Sequence, residues 1–347
     1  MPPFKKEEKK LDYQSLRKDL ETNGPESLYI LWGPEDYLIR DFVGLLRKAC
    51  VNAETAEFDA KAIDDPAPPL EDIEEALNAM PFFGGRTFLE LQGFDVNKCK
   101  DEKLLELLTD IPDWCTVVIT LPTDTAPDGR LSHVKKLKAV GRAVEFTAQE
   151  DALLHRWLTQ RFKSHGKTIE REAMNRLLFL SGNLMNRLIP EIEKISGYVT
   201  GDRVTAADVD AVAHHIPEAQ TFDMTDRIAA RDYEGAIAIL SELLAGDTSP
   251  VEIVALIGWQ MRQLYGAKLC LDSGRGMAYF REVTGCSDYM ARRYADSARG
   301  FTLDRLTDVM RLCAELTYRT RESGAALTDE EALKELLVRM SLEGADA

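Results

Sequence analysis

The segment Ser27-Leu-Tyr-Ile-Leu-Trp-Gly-Pro-Glu-Asp36 decides the fold of the N-terminal part of this chain. Its first six residues form a short apolar run, of the kind that is buried on both faces of a parallel sheet. Gly33 and Pro34 then turn the chain, and residues 37–50 carry apolar side chains at helical spacing. The segment therefore predicts a strand, a glycine turn and a helix in direct succession.

Strand and helix patterns continue to alternate as far as about residue 146. Further strands are expected at residues 56–59, 87–91, 116–121 and 143–146. This alternation predicts an α/β domain with a mainly parallel sheet. After residue 150 the strand patterns stop and helical periodicity continues to residue 342. We therefore predict an α/β fold followed by an all-α part. The expected domains are 1–147, a small helical domain 148–216 and a larger helical domain 217–347.

The composition limits the class of protein. A net charge of -16 argues against a freestanding nucleic-acid binder, although it leaves room for DNA contact within an assembly. The six cysteines lie far apart and form no C-x-x-C motif, which is typical of reduced thiols in the cytoplasm. The charged first ten residues predict no signal peptide, and the charges within residues 251–271 indicate a buried helix instead of a membrane span.

The turn at Gly33 lies where many nucleotide-binding folds hold a phosphate at a helix N-terminus. We therefore compared it with the P-loop pattern G-x-x-x-x-G-K-[ST]. Counted from Gly33, the second glycine, the lysine and the hydroxyl residue are replaced by Leu38, Ile39 and Arg40. Two acidic residues in the turn would also repel a phosphate. The sequence therefore predicts a degenerate nucleotide site, with no ATP and no other cofactor bound.

Other catalytic arrangements are weak. The adjacent pair His214-His215 lacks a third metal ligand, and no G-x-S-x-G motif occurs. Basic residues cluster at 130–138 and 292–293, where a charged surface is more common than a DNA site. No catalytic residue and no metal site are predicted.

A second distinctive stretch is Met80-Pro81-Phe82-Phe83-Gly84-Gly85-Arg86. Apolar residues from Leu70 to Met80 recur at helical spacing, which predicts Met80 on the core face of a helix that Pro81 ends. Two outcomes remain open for the adjacent phenylalanines. One ring fills the core, or the pair is presented to a partner. The two glycines favour the second outcome slightly, because they allow the loop to stand away from the body.

The order and spacing of several motifs resemble the delta subunit of the bacterial DNA polymerase III clamp loader. No single motif is as diagnostic as a P-loop, but together they extend over nearly the whole chain. In this sequence they are residues 28–39, 79–86, 144–146, 182–184, 191–195, 222–228, 236–244 and 251–268.

The resemblance implies an AAA+-like first domain without a working P-loop, a small helical domain and a helical collar. Members of this family bind the sliding clamp and open its ring for loading onto primed DNA. The collar assembles with the other loader subunits, which are ATPase subunits and a delta-prime-like subunit, and ATP hydrolysis belongs to the partners.

The resemblance also assigns site residues. The hydrophobic wedge that contacts the clamp corresponds to Met80, Pro81, Phe82 and Phe83, where many relatives carry Leu-Phe in place of Phe-Phe. Collar domains of the family are ascribed DNA contacts. The candidates for such contacts here are Tyr318, Arg319 and Arg321.

Two other functions are alternatives for this sequence. One is a divergent AAA+ ATPase that binds nucleotide at the Gly33 turn. The other is the catalytic subunit of a DNA-directed DNA polymerase, a nucleotidyltransferase, which needs acidic metal ligands on a sheet. Such ligands are not evident, so a polymerase activity would belong to the holoenzyme.

Overall fold

The computed structural model describes residues 13–82, 84–246, 248–322 and 329–342. The chain divides into two compact units. The first contains the residues up to Gln149 together with Leu184–Asn186, and the second contains the remainder. The division into domains 1–147, 148–216 and 217–347 stays a prediction. Phe83 lies outside the described residues, as do the side chains of Arg319 and Arg321.

The first unit is built on a five-stranded parallel sheet with the strand order β2-β3-β4-β1-β5. Helices connect the strands, which confirms the predicted α/β architecture of this part. The elements are α1 (Tyr13–Asn23), β1 (Leu28–Trp32), α2 (Asp36–Cys50), α3 (Ala56–Asp59), β2 (Ala60–Asp64), α4 (Leu70–Asn78), β3 (Thr87–Gln92), α5 (Glu102–Thr109), β4 (Cys115–Thr120), α6 (Ser132–Val140) and β5 (Arg142–Glu145).

The burial of the three central strands explains why apolar residues predicted their positions correctly. Every residue of β1, β3 and β4 except the last is buried. Since both faces of a parallel sheet are covered, its inner strands are continuous apolar runs. The register is also regular, with Leu28 opposite Val117 and Leu31 opposite Thr120.

The prediction of a strand at residues 56–59 was wrong. These residues form the short helix α3, and the strand β2 follows it at Ala60–Asp64. β2 lies at the edge of the sheet and only Ile63 in it is buried. An edge strand with one buried residue does not need a run of apolar residues. Its position could therefore not be located from an apolar pattern in the sequence.

The second unit is predominantly helical, as predicted. Two strands of two residues each interrupt the helices and pair in parallel, which corrects the expectation that strands stop at residue 150. Thr205 and Asp208 form a reciprocal capping box at the start of the helix Ala206–Val212. The elements are α7 (Asp151–Ser164), β6 (Thr168–Ile169), α8 (Arg171–Ser181), α9 (Met185–Tyr198), β7 (Arg203–Val204), α10 (Ala206–Val212), α11 (Pro217–Ala229), α12 (Tyr233–Ala245), α13 (Pro250–Asp272), α14 (Gly276–Thr284), α15 (Asp288–Ala298), α16 (Leu303–Glu322) and α17 (Asp329–Leu342).

One residue of the basic pair 292–293 serves the packing of the second unit. The Arg293 guanidinium lies 4.0 Å from the ring centroid of Phe179 and 4.4 Å from that of Phe222. It also lies 3.1 Å from a carboxylate oxygen of Asp223 and of Asp226. Arg293 is therefore held among rings and carboxylates within the unit.

Candidate functional site

The stretch 80–86 begins outside the helix that precedes it. α4 ends at Asn78, Ala79 is already extended, and the Met80 side chain is 73% exposed. The prediction that Met80 lies on the core face of the helix was therefore wrong. Pro81 explains the difference, because the residue before a proline is driven away from helical dihedrals.

The backbone at Phe82 is fixed by a buried carboxylate. The Phe82 N–H donates to Oδ1 of Asp59 at 3.0 Å, and Asp59 itself is only 4% exposed. The Phe82 side chain, in contrast, is 67% exposed. The structure therefore decides between the two sequence-based outcomes for this ring. It does not fill the core.

The other end of the loop is also held. The Arg86 N–H donates to the carbonyl oxygen of Cys50 at 3.0 Å. Its guanidinium donates to the carbonyl oxygen of Cys115 at 2.7 Å and to Oγ of Ser27 at 3.2 Å. Gly84 and Gly85 lie between the two anchors with φ values of +85° and +89°, which favour glycine. The loop thus presents an apolar side chain from a backbone that is held at both ends.

Phe58 of α3 was missed by sequence reasoning. Its ring stacks on that of Phe82, with centroids 5.8 Å apart and planes inclined by 28°. Phe58 is 74% exposed. We call Phe58 and Phe82 the aromatic pair. The only sequence signal was an aromatic residue within the otherwise small and acidic Ala-Glu-Phe-Asp segment.

The glycine turn at the end of β1 is closed by the chain itself. A Cβ atom at Gly33 would lie 2.2 Å from the carbonyl oxygen of Phe146, and Gly33 has a φ of +124°. The same oxygen accepts the Glu35 N–H at 3.2 Å, and the Phe146 N–H donates to the carbonyl oxygen of Trp32 at 2.7 Å. The backbone at Phe146 therefore packs directly against this turn.

The three residues that replace the P-loop positions after Gly33 have structural roles. Leu38 and Ile39 are buried in the core at 4% and 8% exposure. The Arg40 side chain is exposed, and its Nε lies 2.9 Å from a carboxylate oxygen of Asp36. Neither an ammonium group nor a hydroxyl stands where a P-loop needs one.

A carboxylate of the same turn accepts a backbone hydrogen bond within the first unit. Glu35 is fully buried, and its two carboxylate oxygens accept the backbone N–H of Met185 at 3.1 and 3.2 Å. Met185 is the first residue of α9 and belongs to the first unit. Burial raises the pKa of Glu35 to about 7, against the lowering effect of the N–H donors.

Comparison with known proteins identifies the family. Residues 29–149 match the family described as DNA polymerase III, delta subunit, and residues 218–340 match its C-terminal domain. The chain belongs to the DNA polymerase III delta subunit family. This confirms the resemblance drawn from the motifs and places the chain in DNA replication.

The chain is similar in sequence to individual delta subunits from bacteria. The DNA polymerase III subunit delta of Bacillus subtilis is 26% identical over 94% of this chain and 96% of its own length. A probable subunit delta of Aquifex aeolicus is 23% identical over 75% of this chain and 76% of its own. The solved structure of the Bacillus subtilis DNA clamp loader delta protein (YqeN) is 22% identical, with a TM-score of 0.49 over 95% of this chain and 99% of that one.

The candidate DNA contacts of this delta family member lie on α16. Tyr318 is 60% exposed. Arg319 and Arg321 fall within the same helix. A DNA contact at these residues stays a prediction.

The described ranges offer no metal site, because no group of three or more His, Cys, Asp or Glu side chains there could hold a metal ion. In the same residues no helix is long and apolar enough to cross a membrane. The six cysteines are free thiols.

The buried Glu35 leads to a pH-dependent prediction for this delta family member. The folded pKa is raised from 4.5 to about 7, so ionisation costs stability progressively between these pH values. The cost is absent below pH 4.5 and reaches about 3 kcal/mol above pH 7. In Glu35→Gln the amide oxygen still accepts an N–H but carries no charge. We expect the variant to match the wild type near pH 4.5 and to be more stable at pH 8, as measured by urea unfolding.

Glu71→Gln is the matched control, since Glu71 is exposed. It should change the free energy of unfolding little at either pH. If the free energies of unfolding of Glu35→Gln and the wild type change in parallel from pH 4.5 to 8, ionisation of Glu35 does not destabilise the fold.

Proposed function

We propose that this chain is the clamp-loader delta subunit that binds the sliding clamp and opens its ring for loading onto primed DNA. The observation that carries the proposal is the exposed Phe82 ring on a loop held at both ends. In the proposal Met80, Pro81, Phe82 and Phe83 enter an apolar pocket on the clamp. Family membership supports this assignment.

Ring opening follows from differential binding. Burial of a phenylalanine side chain stabilises a complex by about 2–3 kcal/mol. That energy favours an open ring only if the chain binds the open form more tightly than the closed form. We therefore propose that the wedge binds the clamp most tightly when one subunit interface of the ring is open.

ATP hydrolysis is assigned to partner subunits that assemble with this chain through its C-terminal collar. The close approach of the Phe146 carbonyl to Gly33 and the buried side chains of Leu38 and Ile39 support this part. The net charge of -16 supports contact with primed DNA only within the assembly. A cytoplasmic location stays a prediction.

The direct test uses the full chain and a purified sliding clamp in surface plasmon resonance. We expect saturable binding, and tighter binding to a clamp variant that is monomeric than to the closed ring, because the monomer has no interface to break. Absence of binding at micromolar concentrations would contradict the proposed function. Equal affinity for the two clamp forms would contradict ring opening alone.

A divergent ATPase is the alternative to be excluded. Titration of the pure chain with a fluorescent ATP analogue should show no saturable binding in the micromolar range, since the turn offers no lysine and no hydroxyl at the required positions. A micromolar dissociation constant that unlabelled ATP competes away would instead favour a nucleotide-binding subunit.

A further inference from the structure

We propose that Phe58 of α3 is a second ring of the clamp-binding surface, supplied by a segment separate from the 80–83 stretch. The inference rests on the proposed function and extends it. A surface formed by two segments can match a pocket in shape, whereas a single loop offers one row of side chains.

The exposure of the aromatic pair carries the first step. Phe58 is 74% exposed and Phe82 67%, although the rings stack on each other. Single exposed apolar residues are ordinary, but two adjacent aromatic rings that stay in water indicate an interaction surface. Both residues keep more than half of their surface exposed in this stacked arrangement. A partner can therefore bury both rings in one pocket.

The hydrogen bonding around α3 carries the second step. The N–H groups of Phe58 and Asp59 both donate to the carbonyl oxygen of Thr55 at 2.9 Å. Asp59 then accepts the Phe82 N–H at 3.0 Å. Thr55 and Asp59 are both buried. The backbones that bear the two rings are thus joined through one buried residue.

This arrangement assigns Phe58 two effects on binding. Its ring adds apolar area to the contact, and it also restricts the rotation of the Phe82 ring before the clamp arrives. A side chain that is already ordered loses less conformational entropy on binding. The two rings should therefore contribute cooperatively, as residues in direct contact commonly do.

A double-mutant cycle with the full chain and a purified sliding clamp tests the inference. We expect Phe58→Ala to weaken binding about 10-fold or more, and Phe82→Ala to weaken it further. The double variant should lose less affinity than the product of the two single losses. Because both rings are exposed, circular dichroism and the urea midpoint should be unchanged in each variant.

Two further variants provide a matched control and a spectroscopic probe of the contact. Tyr198→Ala removes an aromatic side chain that is 56% exposed in the second unit, and it should leave clamp affinity unchanged. Phe58→Trp introduces a fluorescent ring at the proposed contact. Its emission should shift to shorter wavelength when the clamp is added, in a difference spectrum against the wild-type complex.

The outcomes separate this inference from the function on which it rests. If Phe82→Ala weakens binding while Phe58→Ala does not, or if the Phe58→Trp emission stays unchanged in the complex, the assignment of Phe58 is wrong and the proposed function stands. If the wild-type chain itself does not bind the clamp, the proposed function fails.

Discussion

Replacement of both Phe82 and Phe83 by alanine is expected to abolish clamp binding at micromolar concentrations. Each ring contributes about 2–3 kcal/mol when it is buried, so the loss of both corresponds to roughly three to four decades in the dissociation constant. Phe82 is 67% exposed in the free chain, which means that its apolar area is available for transfer out of water. Surface plasmon resonance against an immobilised clamp measures the change.

The fold of the double variant should be intact. The Phe82 side chain is largely exposed and so contributes little to the packing of the fold, and the backbone N–H that Asp59 accepts is retained in alanine. Assembly with the other loader subunits should persist, because it is assigned to the collar. Unchanged clamp affinity in the double variant, alongside normal binding by Tyr198→Ala, would show that the wedge lies elsewhere.

The architecture of the first unit was predictable because its inner strands can be recognised from their apolar composition. β1, β3 and β4 are buried along nearly their whole length, so each appears in the sequence as a short, mainly apolar segment. The edge strand β2 has one buried residue and was misplaced by four residues. Its position depends on pairing with β3, which is a tertiary property.

In the candidate site, too, the features that depend on tertiary contacts could not be predicted from the sequence. The aromatic character of residues 82 and 83, the proline before them and the glycines after them were visible in the sequence. Exposure of Phe82 was not, because periodicity left a buried and an exposed outcome open. The contribution of Phe58 and Asp59 required the structure, since 23 residues separate Asp59 from the N–H that it accepts.

The departure of the Gly33 turn from the P-loop pattern could be predicted from the sequence, whereas the packing around the turn could not. Comparison with the P-loop pattern indicated that Leu38, Ile39 and Arg40 cannot serve phosphate or Mg²⁺. It could not indicate that the strand end at Phe146 packs against the turn. The departure from the P-loop pattern and the close packing at Gly33 are therefore separate properties, and the second can be tested by stability alone.

Gly33→Ala should destabilise the first unit by about 3 kcal/mol or more. Alanine at a φ of +124° is strained by about 1–3 kcal/mol, whatever surrounds it. In addition, the new methyl group would lie 2.2 Å from the carbonyl oxygen of Phe146. Backbone must then move, at the point where the Phe146 N–H bonds to Trp32 and pairs the two segments. Urea unfolding followed by circular dichroism measures the loss.

Gly24→Ala is the control that separates backbone strain from the steric contact with Phe146. Gly24 also has a positive φ, of +77°, but a Cβ atom there would meet nothing within 4 Å. It should therefore cost only the backbone strain, about 1 kcal/mol. If Gly33→Ala and Gly24→Ala lower the urea midpoint equally, the contact with Phe146 adds nothing to the strain. A loss at Gly33 above the limit of about 3 kcal/mol for backbone strain means that glycine is retained there for close packing of the chain on itself, in a turn where many nucleotide-binding folds hold a phosphate.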